Sequence, residues 1–187
     1  IAGYALDEGI PLPYTTQPPP DTDERPEDLA GMVALVRRMS RSEYSGSPGR
    51  HAGLGLERYV QSTSPLRRYL DLVVHQQLRA HLRGGALLEP GELMERIGAA
   101  EAVSGTVSYA ERLAEEHWTL VYLLQHPDWQ GEAVLVDKWD HRGKVLIPEL
   151  DLEYRLQLRG DWALNSRVQL KLVDVDLPRL RAIFRLA

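Results

Sequence analysis

HAGLGLERYVQSTSPLRRYLDLVVHQQL, residues 51 to 78, changes its period halfway along and decides how the chain is read. In residues 51 to 61, His51, Gly53, Gly55, Glu57, Tyr59 and Gln61 fall on one side. Ala52, Leu54, Leu56 and Val60 fall on the other, interrupted by Arg58. A period of two predicts a strand. The two glycines between His51 and Tyr59 leave bare backbone, which either admits a ligand or lets the strand pack tightly against another element.

From Ser64 the period becomes helical. Ser can cap orphan N–H groups and Pro65 fits a first helical turn, so a helix is predicted from Ser64 to about Leu82. Leu66, Tyr69, Leu70, Val73, Val74 and Ala80 share one arc, while Arg67, Asp71 and His75 form a row at i, i+4 and i+8 on another. Arg67 and Arg68 then occupy the first turn, where the helix dipole disfavours cations. One reading places an anion there, held by free N–H groups and guanidinium forks. The other is an intrahelical salt bridge from Asp71, three residues after Arg68 and four after Arg67.

Working outward, TTQPPPDTDERPED (15 to 28) reads as an extended, exposed acidic connector, followed by a helix from about Glu27 to Met39. RSEYSGSPGR (41 to 50) reads as loop. Beyond RGGALLEPGE, Ala- and Glu-rich sequence predicts helix from about Gly91 to Gln125, with a break near Ser104 and Gly105. After HPDW (126 to 129) come five strand-like runs, GEAVLVDKW, KVLIPEL, LEYRLQLRG, SRVQLKLVDVD and LRAIFRLA, which predict a small OB-like barrel.

The bulk properties fit a globular chain. It has 187 residues, 43% of them hydrophobic, no Cys and a net charge of -5. No disulfide framework or thiolate metal site is available, and no run of about 18 apolar residues points to a membrane. The start does not look like a signal peptide. Charge is uneven: nine arginines face three acids between Arg37 and Arg83, while residues 1 to 36 hold seven acids and one arginine. The central segment therefore permits an anionic partner. Gly53-Leu54-Gly55 lacks the rest of a phosphate-loop pattern and reads as structural. Asp21, Asp23 and Glu24, or Asp174 and Asp176, read as solvated acids rather than metal ligands, and His75, His81 and His117 show no metal-ligand spacing.

Residues 51 to 78 resemble the C-terminal signature of the catalytic domain of ribonuclease II and RNase R type exoribonucleases (the RNB domain). The pattern is H-x-G-L-x-L-x-x-Y-x-x-x-T-S-P-I-R-R-Y-x-D-x-x-x-H. The match covers His51, Gly53, Leu54, Leu56, Tyr59, Thr63, Ser64, Pro65, Arg67, Arg68, Tyr69, Asp71 and His75. YALDEGIPLPYTTQPPP and ERLAEEHWTLVYLLQHP extend the resemblance to about residue 126. Thr15 stands where the family often has Arg, and Gln61-Ser62 replace a frequent His-Phe pair.

The resemblance implies an α+β fold: residues 1–126 as the C-terminal part of an RNB catalytic domain, with helices packed on strands, and 127–187 as a five-stranded S1-like OB barrel that binds RNA. Trp139, Tyr154, Trp162 and Phe184 are the barrel's candidate aromatic platform, some of them core. The implied activity is processive, Mg2+-dependent 3'-to-5' hydrolysis of single-stranded RNA to nucleoside 5'-monophosphates. The Mg2+ ligands are expected outside this chain, in an aspartate-bearing N-terminal remainder of the same protein. Arg67 is the implied catalytic residue at the scissile phosphate. His51, Tyr59, Thr63, Ser64 and Arg68 are implied RNA-binding residues, with Asp71 and His75 in support. A cytoplasmic, monomeric whole enzyme with no membrane partner is expected. Two rival readings are a non-catalytic RNA-binding or scaffolding protein that keeps the fold, and a hydrolase of other nucleotide substrates using the same phosphate site.

Overall fold

The computed structural model describes residues 1–22, 24–158 and 160–187. The expectations that involve Asp23 and Arg159 lie outside them. The chain forms two compact units, one from Ile1–Thr22 and Met39–Val107, the other from Asp23–Arg38 and Ser108–Ala187.

In the first unit, α1 (Ala2–Asp7) precedes a two-stranded antiparallel sheet of β1 (Tyr14–Thr16) and β2 (Glu43–Ser45). Tyr14 pairs with Ser45, Thr15 with Tyr44 and Thr16 with Glu43. Both strands correct the sequence reading, which made 15–28 an exposed connector and 41–50 a loop. Three residues are too few to show a period, and the pairing partner lies far along the chain. α3 (Tyr69–Leu82) buries Leu70, Val73, Val74 and Gln77, the i, i+3, i+4, i+7 face of a helix. Val74 packs with Ala5, Ile10, Leu12, Tyr14 and Val60. Leu70 and Val73 pack with Leu93 and Ile97, with Tyr44 against them. Buried Gln77 is satisfied: its amide donates to the Pro11 carbonyl at 3.0 Å and its carbonyl accepts from Leu88 N at 3.0 Å.

The predicted strand over 51–61 is not formed. His51 and Leu56 exchange backbone hydrogen bonds around a short 3-10 turn at Ala52–Leu54, ended by Gly55 at φ 64°. Gly55 explains the difference, because the left-handed conformation it adopts folds the segment back on itself. The bare backbone expected at Gly53 is also covered: a Cβ there would lie 2.6 Å from Gln17 Oε1 and 3.0 Å from Met39 Cε. α4 (Pro90–Gln125) is one 36-residue helix without the expected break at Ser104 and Gly105. A glycine costs only about 1 kcal/mol in a helix interior, and no proline accompanies it.

The second unit holds α2 (Leu29–Arg38), the last turns of α4 and a nearly closed five-stranded antiparallel barrel. Its strands are β3 (Gln130–Trp139), β4 (Arg142–Ile147), β5 (Leu152–Gln157), β6 (Arg167–Asp176) and β7 (Arg181–Leu186), in the order β5-β4-β3-β6-β7. Bulges between Leu135 and Asp137 in β3 and between Leu172 and Asp174 in β6 bend the strands. The two edges meet through Tyr154 of β5 and Phe184 of β7, whose rings lie 5.0 Å apart edge to face. Tyr154 and Phe184 are thus core rather than RNA platform, packed with Trp129, Leu135, Val145, Ile147 and Leu170. α2 is tied to the barrel by Ala30 N donating to Asn165 Oδ1 at 2.8 Å, and by Arg37 bridging Asp137 and Glu153 at 2.8 Å each. Among the described residues no helix is long and apolar enough to cross a membrane.

Candidate nucleic-acid interface

The helix α3 starts at Tyr69, not at Ser64, and Arg68 is its N-cap with extended backbone (φ -115°, ψ 115°). Residues 64 to 68 form a turn in which Arg67 N and Arg68 N both donate to the Ser64 carbonyl, at 3.1 and 2.9 Å. Asp71 is the cause. It sits in the first helical turn, fully buried, and its Oδ2 accepts from the Ser64 amide at 2.7 Å. That bond folds the segment across the open end of the helix, a path an added helical turn would not allow. The placement also resolves the conflict of the sequence reading: an acid, not two cations, occupies the turn where the dipole favours negative charge.

Asp71 Oδ2 also accepts from Arg68 Nε at 3.1 Å and Nη2 at 2.8 Å, and Arg68 Nη2 reaches Thr63 Oγ1 at 3.0 Å. The salt-bridge reading therefore holds for Arg68 and not for Arg67. The Arg67 side chain is exposed and has no hydrogen bond or ion pair among the described residues. Leu66, expected on the core arc, is fully exposed beside it.

The neighbouring residues brace this turn. His75, outside any row with Arg67, places Nε2 2.8 Å from the Ser62 carbonyl, so that nitrogen is the donor. The His51 and Tyr59 rings meet edge to face at 5.5 Å, and the Tyr59 carbonyl accepts from Thr15 N at 2.9 Å. His51 Nδ1 and Asp71 Oδ1 are buried without a hydrogen-bond partner among the described residues. The structure thus brings Thr63, Ser64, Arg68, Asp71 and His75 into one bonded cluster with Arg67 at its surface, and joins His51 to Tyr59.

Sequence reasoning missed Tyr44. From β2 its hydroxyl donates to Gln61 Oε1 at 2.9 Å, and Glu101 Oε1 accepts from its amide at 3.4 Å. Burial pushes its phenol pKa up; the Asp71 carboxylate adds to this and Arg68 opposes it. Arg96 of α4 similarly donates to the Tyr69 hydroxyl at 3.0 Å. Neither contact leaves a sequence signal, because each joins segments more than 15 residues apart.

The Mg2+ that the resemblance implies needs a cluster of oxygen ligands. Among the described residues no three His, Cys, Asp or Glu side chains are placed to hold a metal ion. Asp71 is the one buried carboxylate among the described residues, and its Oδ2 is taken up by Ser64 and Arg68. The described residues of this chain do not fit a metal centre.

A family model described as RNB domain matches residues 21–84, and one described as RNase II-type exonuclease C-terminal S1 domain matches residues 129–187. The chain belongs to the ribonuclease II and RNase R family. Over 99% of its length it is 35% identical to a protein of Synechocystis sp. described as an uncharacterized ribonuclease, of which it covers 29%. It is 30% identical over 82% of its length to the chloroplastic/mitochondrial ribonuclease II of Arabidopsis thaliana, of which it covers 20%. The chain thus spans less than a third of either relative. Among solved structures, RNase R of Mycoplasma genitalium in complex with ribose-methylated single-stranded RNA matches all of this chain and 39% of its own. The TM-score is 0.72 at 19% identity. An active-site mutant of the Dss1 exoribonuclease from Candida glabrata matches 97% of this chain and 26% of its own, with TM-score 0.72 at 18% identity. These two likenesses establish the fold, including the S1-type barrel.

Proposed function

We propose that this chain is the C-terminal part of a 3'-to-5' exoribonuclease acting on single-stranded RNA, and that Arg67 contacts the scissile phosphate. The observation that carries the reading is an exposed guanidinium without a protein partner, set on a turn that a fully buried carboxylate holds in place. The backbone that carries this group is held in place while all its N–H donors stay free, which suits it to stabilise charge that grows on a phosphate oxygen. Its relatives' names as ribonucleases supply the reaction class.

In this reading Arg68 offers Nη1 to an adjacent phosphate while its other nitrogens stay on Asp71 and Thr63. Thr63 and Ser64 lie along the same strand of RNA, and His51 and Tyr59 present ring surface for bases. Asp71 and His75 position these groups without touching RNA. The whole protein releases nucleoside 5'-monophosphates processively, and its Mg2+ ligands are aspartates of the N-terminal remainder.

The test uses the full-length protein and 5'-labelled single-stranded RNA, in Mg2+ and in EDTA. A Mg2+-dependent ladder shortening from the 3' end is the expected result. RNA that is bound but never shortened would replace this reading with that of a non-catalytic RNA-binding protein. Competition by DNA or free nucleotides as effective as by RNA would favour a different nucleotide substrate.

A further inference from the structure

The second unit holds a cavity of about 660 Å³, lined by none of the residues of the 51–75 cluster. One wall is α4. Its Leu120 and Leu123 are buried in the barrel core, which fixes the helix there and leaves Trp118 and Tyr122 on the cavity side, 66% and 39% exposed. The facing wall is the Pro148–Leu150 turn, closed by Asp151 at φ 46°, a left-handed conformation uncommon for a residue other than glycine. That turn brings Glu149 and Asp151 opposite Glu115 and Glu116 of α4.

Charge decides what fits. Four carboxylates line the cavity against one guanidinium, Arg112, and none of the five has an ion-pair partner among the described residues. A phosphate backbone entering here meets unpaired negative charge, so the cavity is not a track for RNA. A guanidinium is attracted twice, by the carboxylates and by the face of an exposed indole. Tyr122 is already stacked on His126, with ring centroids 4.2 Å apart and planes at 30°, which holds it as a second aromatic wall. Leu150 and Leu152 supply apolar surface for an aliphatic stem.

We infer that this groove docks an arginine-bearing segment of a partner protein, with the guanidinium stacked on Trp118 and its N–H groups on Glu115, Glu116 and Asp151. Arginine is favoured over lysine because only its planar group both stacks and bonds two carboxylates in one geometry. The inference does not rest on the RNA reading.

The experiment follows the fluorescence anisotropy of a labelled Gly-Arg repeat peptide without aromatic residues, titrated with the full-length protein at low salt. Binding is expected, weakened about tenfold by Trp118→Ala and by the pair Glu115→Gln with Asp151→Asn. Glu132→Gln, an exposed acid outside the groove that pairs with Arg167, should leave the affinity unchanged. Trp118 is mostly exposed, so its loss does not threaten the fold, and Glu116→Lys gives an independent block. No binding, an equal loss with Glu132→Gln, or a Trp118→Ala variant that loses RNA affinity instead of peptide affinity would each overturn the inference.

Discussion

The Ser64 amide donates to the Asp71 carboxylate at 2.7 Å, across the open end of α3. One fully buried oxygen thereby joins the backbone of the TSP segment to Arg68, whose Nη2 lies 2.8 Å away. Removing the carboxylate leaves three donors without an acceptor. Asp71→Ala should cost about 2–3 kcal/mol, discounted from a fully buried pair because Arg68 is 28% exposed. Urea unfolding measures the loss, and RNA shortening should fall with it because the turn carrying Arg67 is released. An Asp71→Ala variant as stable as the parent would mean the turn holds itself.

Arg67 should behave in the opposite way. Its side chain is exposed and makes no hydrogen bond or ion pair among the described residues, so Arg67→Ala should change stability by no more than about 0.5 kcal/mol. In the full-length protein the same change should lower turnover by about 10²- to 10³-fold while RNA affinity falls far less. Arg67→Lys should restore little, since an ammonium offers a point charge in place of a two-pronged donor. Equal losses in affinity and turnover would make Arg67 a substrate anchor only.

The barrel and the long helix were legible because their signals are local. Each strand carries its own alternation, and α4 its own composition. The turn at 64–68 was not, because Ser-Pro is a good helix start by every local rule and lost only to the Ser64–Asp71 bond, a contact made after the chain has folded back. The 51–61 segment alternates like a strand, yet its second glycine adopts φ 64° and reverses the backbone. The residues of the candidate cluster were singled out by the signature they resemble. Their division of labour, Arg68 paired and Arg67 free, came only from side-chain geometry.

Two tyrosines make the first unit sensitive to alkali. Burial raises the phenol of Tyr14, against a smaller opposing effect of Arg58, and burial raises that of Tyr44 as well. In the unfolded chain both ionise near pH 10. Their contribution is therefore full below about pH 10 and drains away as pH rises toward the folded values. Thermal midpoints from pH 8 to 11, read beside tyrosinate absorbance, should show unfolding and late ionisation together. Tyr44→Phe should flatten the decline and cost about 1 kcal/mol at neutral pH through the lost Gln61 bond. A decline identical in the variant would exclude Tyr44 as its source.

Acid acts on the second unit through Glu153. Burial pushes its carboxyl up, but hydrogen bonds from Lys144 and Arg37 outweigh burial and hold it below the ordinary range. The contribution is present above the unfolded value of about 4.3 and lost as pH falls through the lowered folded value. Because Glu153 is 45% exposed, its pairs are screened and worth about 1 kcal/mol together. Glu153→Gln should lower the urea midpoint at pH 7 and match the parent near pH 3. A gap that persists in acid would assign the effect to packing instead of charge.

The edges of the barrel meet at Tyr154 and Phe184, and this pair offers the sharpest test of how the barrel is held. The Tyr154 hydroxyl both accepts from Phe184 N and donates to Phe184 O, at 3.2 Å each, so a side chain replaces the ladder that edge strands β5 and β7 lack. Tyr154→Phe removes only that oxygen and strands a half-buried amide and carbonyl, a cost of about 1–2 kcal/mol. Phe184→Ala also removes a ring packed on Trp129, 5.4 Å away, and on Tyr154, and should cost about 3–5 kcal/mol. Amide hydrogen exchange separates the two effects. Tyr154→Phe should speed exchange at Phe184 while the amides of β3 stay protected, because β3 lies at the centre of the sheet. Faster exchange spread evenly over all five strands would mean that the barrel opens as a whole and that the Tyr154–Phe184 seam has no separate role.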